Sequence, residues 1–185
     1  MIDEADKLAF QRRLNKVVGQ CKGILRMIKS KSPCTDTLLQ VSAAKNALHQ
    51  LGQLLLDDYI AEAVQQSIAK ADPAYFSEHF NQGIRSFCQT NRDIALINEG
   101  TFEERIEKII ASCDVIGQAI AKDESSRTEV LALILQTKNN LHAFGQFLLE
   151  TFVAKCVKTA IDRKTAGVFA KDFRSAIESF CRMRK

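Results

Sequence analysis

Residues 10–28 read FQRRLNKVVGQCKGILRMI, and this stretch decides how the rest of the chain is interpreted. Its apolar side chains recur at alternating spacings of four and three residues, which is the period of one face of an α-helix. They are Phe10, Leu14, Val17, Cys21, Ile24 and Ile28. The pattern therefore predicts an amphipathic helix whose other face carries lysine and arginine.

The same pattern returns 92 residues later, where residues 102–120 read FEERIEKIIASCDVIGQAI. Further matches follow at an offset of 93 and extend to the C-terminus. They join Lys45-Asn46 to Lys138-Asn139, Leu48-His49 to Leu141-His142, and Ser86-Phe87-Cys88 to Ser179-Phe180-Cys181. Several blocks in register predict a tandem duplication, with one unit in residues 1–93 and a second, diverged unit in residues 94–185.

Composition assigns both units to the all-α class. Hydrophobic residues make up 46% of the chain, whereas it contains only eight glycines and two prolines, so few residues interrupt helices. We expect three helices in each unit. Their starts are predicted near Pro33, at Asp72-Pro73, at Thr101 with Glu104, and at Ser126 with Glu129, on the basis of capping chemistry.

Several classes of protein are excluded by what the sequence lacks. No uncharged apolar run is long enough for a membrane span, and we expect a cytoplasmic protein that does not bind membranes. The six cysteines include no CxxC pair, so neither a zinc finger nor a disulfide scaffold is predicted. No phosphate-binding glycine loop, HExxH motif or nucleophile with a recognisable base is present, and we predict that the protein is not an enzyme.

Basic charge is concentrated at the start of the chain, although the net charge is only +4. Eight lysines and arginines lie between Lys7 and Thr35 without any acidic residue, whereas the matching stretch of the second unit carries Glu103, Glu104 and Glu107. Positive charges on a rigid helix are what binding to phosphates requires. Exposed lysine and arginine also serve solubility, so a solvated face is the other interpretation.

Four segments of the first unit resemble the CsoR/RcnR/FrmR family of bacterial metal- and aldehyde-responsive repressors. The segments are Arg13 to Gln20 (RLNKVVGQ), Gly23 to Ile28 (GILRMI), the isolated Cys34, and Leu39 to Leu48 (LQVSAAKNAL). The resemblance covers about residues 10 to 64, which is nearly the whole family core. The second unit matches only through its equivalence to the first.

The resemblance implies an architecture and a partner. Family members are helical dimers with antiparallel second helices, and two dimers form a tetramer that binds operator DNA. For this chain the resemblance implies an intramolecular pseudo-dimer with a four-helix-bundle core, and a homodimer of chains that gives a pseudo-tetramer. It also implies DNA contacts, which we expect at Arg13, Lys16 and Lys45, with Gln20 and Arg26 as further candidates.

The family's sensor site joins a Cys at the start of helix two to a His and a Cys near the end of the partner's helix two. Here one such site keeps Cys34 and Cys156 but has Phe152 instead of the histidine. The other site has lost every ligand, because it combines Ser126 or Arg127 with Tyr59 and Ala63.

Two thiols without an imidazole suit an oxidative or persulfide switch best and Cu(I) second, whereas nickel and cobalt prefer nitrogen and oxygen ligands. The pair of Cys34 and Cys156 is therefore the predicted sensor, and Cu(I) is the only metal expected there. We expect a favoured thiolate at Cys34 because it lies at a helix N-terminus. The alternative is that both thiols are relics, in a helical interaction module that does not sense and that partners with other proteins.

Two further pairs of equivalent residues attract interest. His49 and His142 are expected to meet near the pseudo-twofold axis, either as a hydrogen-bonded polar pair or as a proton- or metal-responsive contact. Cys21 and Cys113 belong to apolar stripes, and we interpret them as small buried hydrophobic residues.

Overall fold

The described part of the chain is built from five α-helices. The computed structural model describes residues 4–88, 100–122, 126–163, 174–175 and 177–178. The helices are α1 (Glu4–Lys29), α2 (Cys34–Lys70), α3 (Pro73–Cys88), α4 (Phe102–Lys122) and α5 (Arg127–Arg163). These ranges contain no strand, which confirms the all-α class. Most of the predicted third helix of the second unit lies outside the described residues.

Capping boxes begin α4 and α5, the two described helices of the second unit, as the sequence predicts. The Thr101 hydroxyl accepts a hydrogen bond from the amide of Glu104 at 3.2 Å, and the Glu104 carboxylate accepts one from the amide of Thr101 at 2.7 Å. Ser126 and Glu129 repeat the arrangement at 3.2 and 2.8 Å. Each box satisfies two backbone amides that the first helical turn leaves without acceptors.

The turn between α2 and α3 reverses the chain. Ala71 adopts a left-handed conformation with φ of 51°, and the amide of Asp72 donates to the carbonyl of Ser67 at 3.0 Å. The Asp72 carboxylate then caps α3 by accepting from the amide of Ala74 at 2.9 Å. As a result α3 runs back along α2. The close approach depends on Gly83, because a Cβ atom there would lie 2.9 Å from the ring of Tyr59.

The two long helices α2 and α5 pack against each other in antiparallel orientation. Cys34 at the start of α2 contacts Leu148 late in α5, and Arg127 at the start of α5 contacts Glu62 late in α2. Helix α1 packs on α2 and on α4, and α4 packs on α5. The four helices enclose one apolar core, to which the predicted stripes of α1 and α4 contribute. Burial of both stripes confirms their assignment from the sequence.

Helices α1 and α4 cross at short range. A Cβ atom added to Gly117 would lie 3.3 Å from Cδ2 of Leu14, so the glycine leaves space for the facing leucine. In the alignment of the two units Gly117 corresponds to Leu25, so this space has no equivalent on α1. Among the described helices, none is long and apolar enough to cross a membrane.

Candidate nucleic-acid interface and thiol site

The outer face of α1 is basic. Arg13, Lys16 and Arg26 are exposed, whereas Leu14 and Val17 between them are buried in the core. Residues three and four positions apart share a face of a helix, so the buried apolar residues lie on one side of α1 and the exposed basic residues lie on the other side. The structure thus leaves three of the five predicted DNA contacts exposed along α1.

Gln20 differs from the other predicted contacts. It is half-buried, and its amide oxygen is enclosed and accepts no hydrogen bond. That oxygen does not face the solvent on the side where a nucleic acid would lie. Its enclosure weakens the case for a direct contact through that atom.

Arg105, the counterpart of Arg13, has a structural role instead. Its side chain is 6% exposed, its Nε donates to the carbonyl of Gly100 at 3.1 Å, and its guanidinium lies 3.8 Å from the centroid of the Phe147 ring. A cation over an aromatic face is stabilised by the ring quadrupole. The repeat alignment alone does not reveal this burial. The sequence feature that could have indicated this burial is Phe147, an aromatic residue at the position that Leu54 occupies in the first unit.

Basic side chains from both long helices meet where α2 and α5 cross. Lys45 is half-buried, and burial together with the charge of Lys138 lowers its pKa. Burial also lowers the pKa of His49, with further contributions from the charges of Lys138 and Lys45. His142 lies one turn after Lys138 on α5, and the Nδ1 atoms of both histidines are buried. The region where α2 and α5 cross therefore contains Lys45 and His49 together with Lys138 and His142, their counterparts in the repeat.

At one end of the α2–α5 pair, Cys34 faces the second unit. Its thiol donates to the carbonyl of Leu148 at 3.9 Å. In an α-helix that carbonyl accepts from the amide four residues later, so the thiol lies at the level of Phe152, one turn before Cys156. Phe152 is half-buried and packs against the core. An apolar ring thus occupies the position where the resemblance implies an imidazole.

The protonation state of Cys34 differs from the expectation. Burial raises the pKa of its thiol to about 11, and the neighbouring Cys156 adds to the shift. The expected favoured thiolate is wrong, because loss of solvent outweighs the stabilisation that the N-terminus of α2 offers. Cys34 is a neutral thiol at pH 7.

The other end of the α2–α5 pair is closed by an ion pair. Arg127 donates to the carboxylate of Glu62 at 2.5 Å and to the carbonyl of Asp58 at 3.4 Å. Tyr59 instead packs toward α3, where its hydroxyl donates to the side-chain carbonyl of Gln82 at 3.3 Å. Ala63 is buried and offers no ligand. Over the ranges that the structure describes, no group of three or more His, Cys, Asp or Glu residues could hold a metal ion.

Comparison with known proteins finds a family model and curated relatives that match part of the chain. The family model described as "Metal-sensitive transcriptional repressor" matches residues 6–90. The chain is 38% identical over 64 residues to the copper-sensing transcriptional repressor RicR of Mycobacterium tuberculosis, covering 35% of this chain and 67% of that protein. It is 31% identical over 67 residues to the copper-sensing transcriptional repressor CsoR of Bacillus subtilis, covering 36% of this chain and 66% of that protein.

A third relative, the copper-sensing transcriptional repressor CsoR of Mycobacterium bovis, is 34% identical over 56 residues. That match covers 30% of this chain and 47% of the relative, so the chain spans from about half to two thirds of the curated proteins it matches. No solved structure matches the chain significantly.

Proposed function

Because the chain belongs to the family of metal-sensitive transcriptional repressors, we propose that it binds operator DNA and that one asymmetric thiol site, Cys34 with Cys156, controls this binding. The family consists of regulators of transcription and not of enzymes, in agreement with the sequence. One observation carries the proposal. The buried side of α1 lies in the same apolar core against which Cys34 packs, so a change at this thiol can be transmitted through the core to α1 and its exposed basic face.

The two halves of the chain replace the two subunits of a dimer in this proposal. Helices α2 and α5 have 37 residues each and pack antiparallel, and α1 packs on α4. Lys45 and Lys138, which the repeat pairs, also approach each other. A homodimer of chains would then supply four units, as a pseudo-tetramer.

DNA contact is concentrated on the first unit. Arg13, Lys16 and Arg26 are free to displace counterions from a duplex because they are exposed on one rigid helix. In the second unit Arg105 is buried, and the exposed Lys108 has the exposed Glu104 and Glu107 beside it on the helix. Those carboxylates repel phosphate. Lys45 adds a contact near the crossing of α2 and α5.

The donor set fits Cu(I). Cys34 and Cys156 supply two thiolates, and Phe152 removes the nitrogen ligand that nickel or cobalt would prefer. When bound, a Cu(I) ion would link the start of α2 to the end of α5. The pKa of about 11 at Cys34 also favours a metal over an oxidant, because a soft cation displaces a thiol proton whereas oxidation depends on the small thiolate fraction.

Oxidation or persulfide formation at the same two thiols is the second candidate. Cys34 and Cys156 lie within electrostatic range of each other, and Cys156 raises the pKa of Cys34. Such a switch would operate at alkaline pH more readily than at neutral pH, since only the thiolate attacks.

A salt-titrated binding assay on DNA from the protein's own promoter region tests the proposal. The double variant Arg13→Glu/Lys16→Glu should abolish specific binding and lower the salt dependence. The control Lys108→Glu/Lys122→Glu makes the same charge change at exposed positions of α4 and should retain binding. Equal losses in both variants would contradict the asymmetric interface. Absence of binding by the unaltered chain would support an interaction module without DNA binding.

A further inference from the structure

Four basic side chains lie at the middle of the α2–α5 pair, away from both ends of the two helices. Each unit supplies a lysine and, one turn later, a histidine, and the repeat pairs Lys45 with Lys138 and His49 with His142. All four side chains are half-buried, so part of each remains in contact with solvent. The first helices of the two units differ in charge, whereas the crossing keeps the same residue types in both units.

The alignment of α2 and α5 brings the two lysines opposite each other. It is fixed by the hydrogen bonds that Cys34 and Arg127 make to carbonyls of the facing helix, one at each end of the pair. Counting inward from both contacts along the antiparallel helices places Lys45 opposite residues 137–140, and thus opposite Lys138. The lysines are therefore neighbours across the seam between the two helices.

The two histidines extend this pair into one cluster. Long side chains on an α-helix lean toward the N-terminus of their own helix. Because the helices are antiparallel, Lys138 leans toward His49 and Lys45 leans toward His142. In agreement, the charge of Lys138 lowers the pKa of His49 more than the charge of Lys45 does, although Lys45 is on the same helix as His49.

Gathering like charges in half-buried positions destabilises the crossing. Residues 37–56 of α2 and 130–149 of α5 contain no aspartate or glutamate that would offset the repulsion. Burial and the charge of Lys138 lower the pKa of Lys45, so its charged form is disfavoured where it lies. A bound anion would reverse this effect, because a nearby opposite charge favours the charged form of a lysine.

We propose that this cluster binds one tetrahedral dianion of the phosphate class between α2 and α5. An ammonium group supplies positive charge with donors that rotate freely, and a histidine ring supplies a directed N–H donor. Two groups of each kind can serve the four oxygens of one phosphate, and sulfate shares this chemistry. The bound anion links the first unit to the second, and the site does not depend on the DNA interface proposed on α1.

Isothermal titration calorimetry of the full chain with sodium phosphate, at an ionic strength held constant with sodium chloride, tests the site. We expect saturable binding of one phosphate per chain, since the two units share one site, and competition by sulfate. Lys138→Gln should weaken the affinity by about tenfold or more, the effect of losing one charge-assisted hydrogen bond. The matched control Lys108→Gln removes a charge from an exposed position of α4 and should bind phosphate like the unaltered chain.

Thermal unfolding provides a second measurement. Phosphate should raise the Tm of the unaltered chain and of Lys108→Gln more than that of Lys138→Gln, because a ligand that binds only the folded state stabilises it. The general stabilisation by phosphate that is excluded from protein surfaces acts on all three alike, so the difference between variants reports the site. Without phosphate, Lys138→Gln should be at least as stable as the unaltered chain, since it removes a repelling charge, and this shows that the variant folds.

Equal effects of phosphate on Lys138→Gln and on the unaltered chain would overturn the proposal, and so would a stoichiometry of two phosphates per chain. Absence of phosphate binding by the unaltered chain would overturn it as well. If Lys138→Gln then weakened binding to promoter DNA, the lysines would be assigned to the DNA backbone instead of a free anion.

Discussion

Arg127 and Glu62 form an ion pair that joins the start of α5 to the end of α2, at the end of the helix pair opposite to Cys34. The repeat pairs Arg127 with Cys34, so a fixed electrostatic contact occupies the position that holds a thiol at the other end. One end of the α2–α5 pair is closed by this ion pair, and the other end carries the thiols of the proposed sensor site.

Breaking this ion pair should reduce stability modestly and leave metal binding unchanged. Glu62 is 43% exposed, so solvent screens the pair, and Glu62→Gln should lower the free energy of unfolding by about 0.5 to 1 kcal/mol. Urea unfolding measures the loss. The nearby exposed change Asp57→Asn serves as the control, and a loss of equal size there would show that Arg127 and Glu62 are not specifically coupled.

Arg105 and Arg13 should respond differently to the same substitution. Arg105→Ala removes a buried hydrogen bond and the contact with Phe147, and should cost about 2 kcal/mol of unfolding free energy. Arg13→Ala removes an exposed side chain and should change stability by less than about 0.5 kcal/mol, while it weakens DNA binding. Similar costs for the two variants would mean that the two units use these arginines in the same way.

Acidification should destabilise the crossing of α2 and α5. The pKa of His49 is lowered by burial and by the charges of Lys138 and Lys45, so its contribution to stability is complete above the ordinary histidine pKa of about 6.5 and is lost as pH falls through the lowered value. Urea unfolding at pH 7.5 and at pH 5.5 should show a decrease that His49→Gln reduces. Lys138→Gln should reduce it as well, because it removes a repelling charge. An unchanged pH dependence in both variants would exclude His49 as the source.

Local features of the fold could be predicted from the sequence, because they depend on residues a few positions apart. The apolar stripe from Phe10 to Ile28 and the box formed by Ser126 and Glu129 are of this kind. The burial of Arg105 under Phe147 and the raised pKa of Cys34 could not be predicted in this way. Both depend on contacts between helices that are distant in sequence. Such contacts cannot be inferred from the spacing of residues along one helix.

Binding of Cu(I) at the proposed site should depend on pH. Since the pKa of Cys34 is about 11, Cu(I) must displace a proton from this thiol at neutral pH, and the apparent affinity should rise with pH. Competition with a Cu(I) chelator at pH 6.5 and pH 8.5 measures this, and for the Cys34 proton we expect an increase of roughly a hundredfold, because below the pKa the affinity rises about tenfold per pH unit for each proton displaced. Equal affinity at both pH values would mean that the ion binds elsewhere.

The most direct test of the single asymmetric site is the affinity for promoter DNA with and without one equivalent of Cu(I) per chain, measured for the unaltered protein, Cys34→Ser and Cys156→Ser. We expect Cu(I) to weaken DNA binding by the unaltered protein by roughly tenfold or more, the size of a typical allosteric coupling. Both variants should bind DNA as before and should not respond to Cu(I). A full response to Cu(I) in either variant, or none in the unaltered protein, would contradict the account.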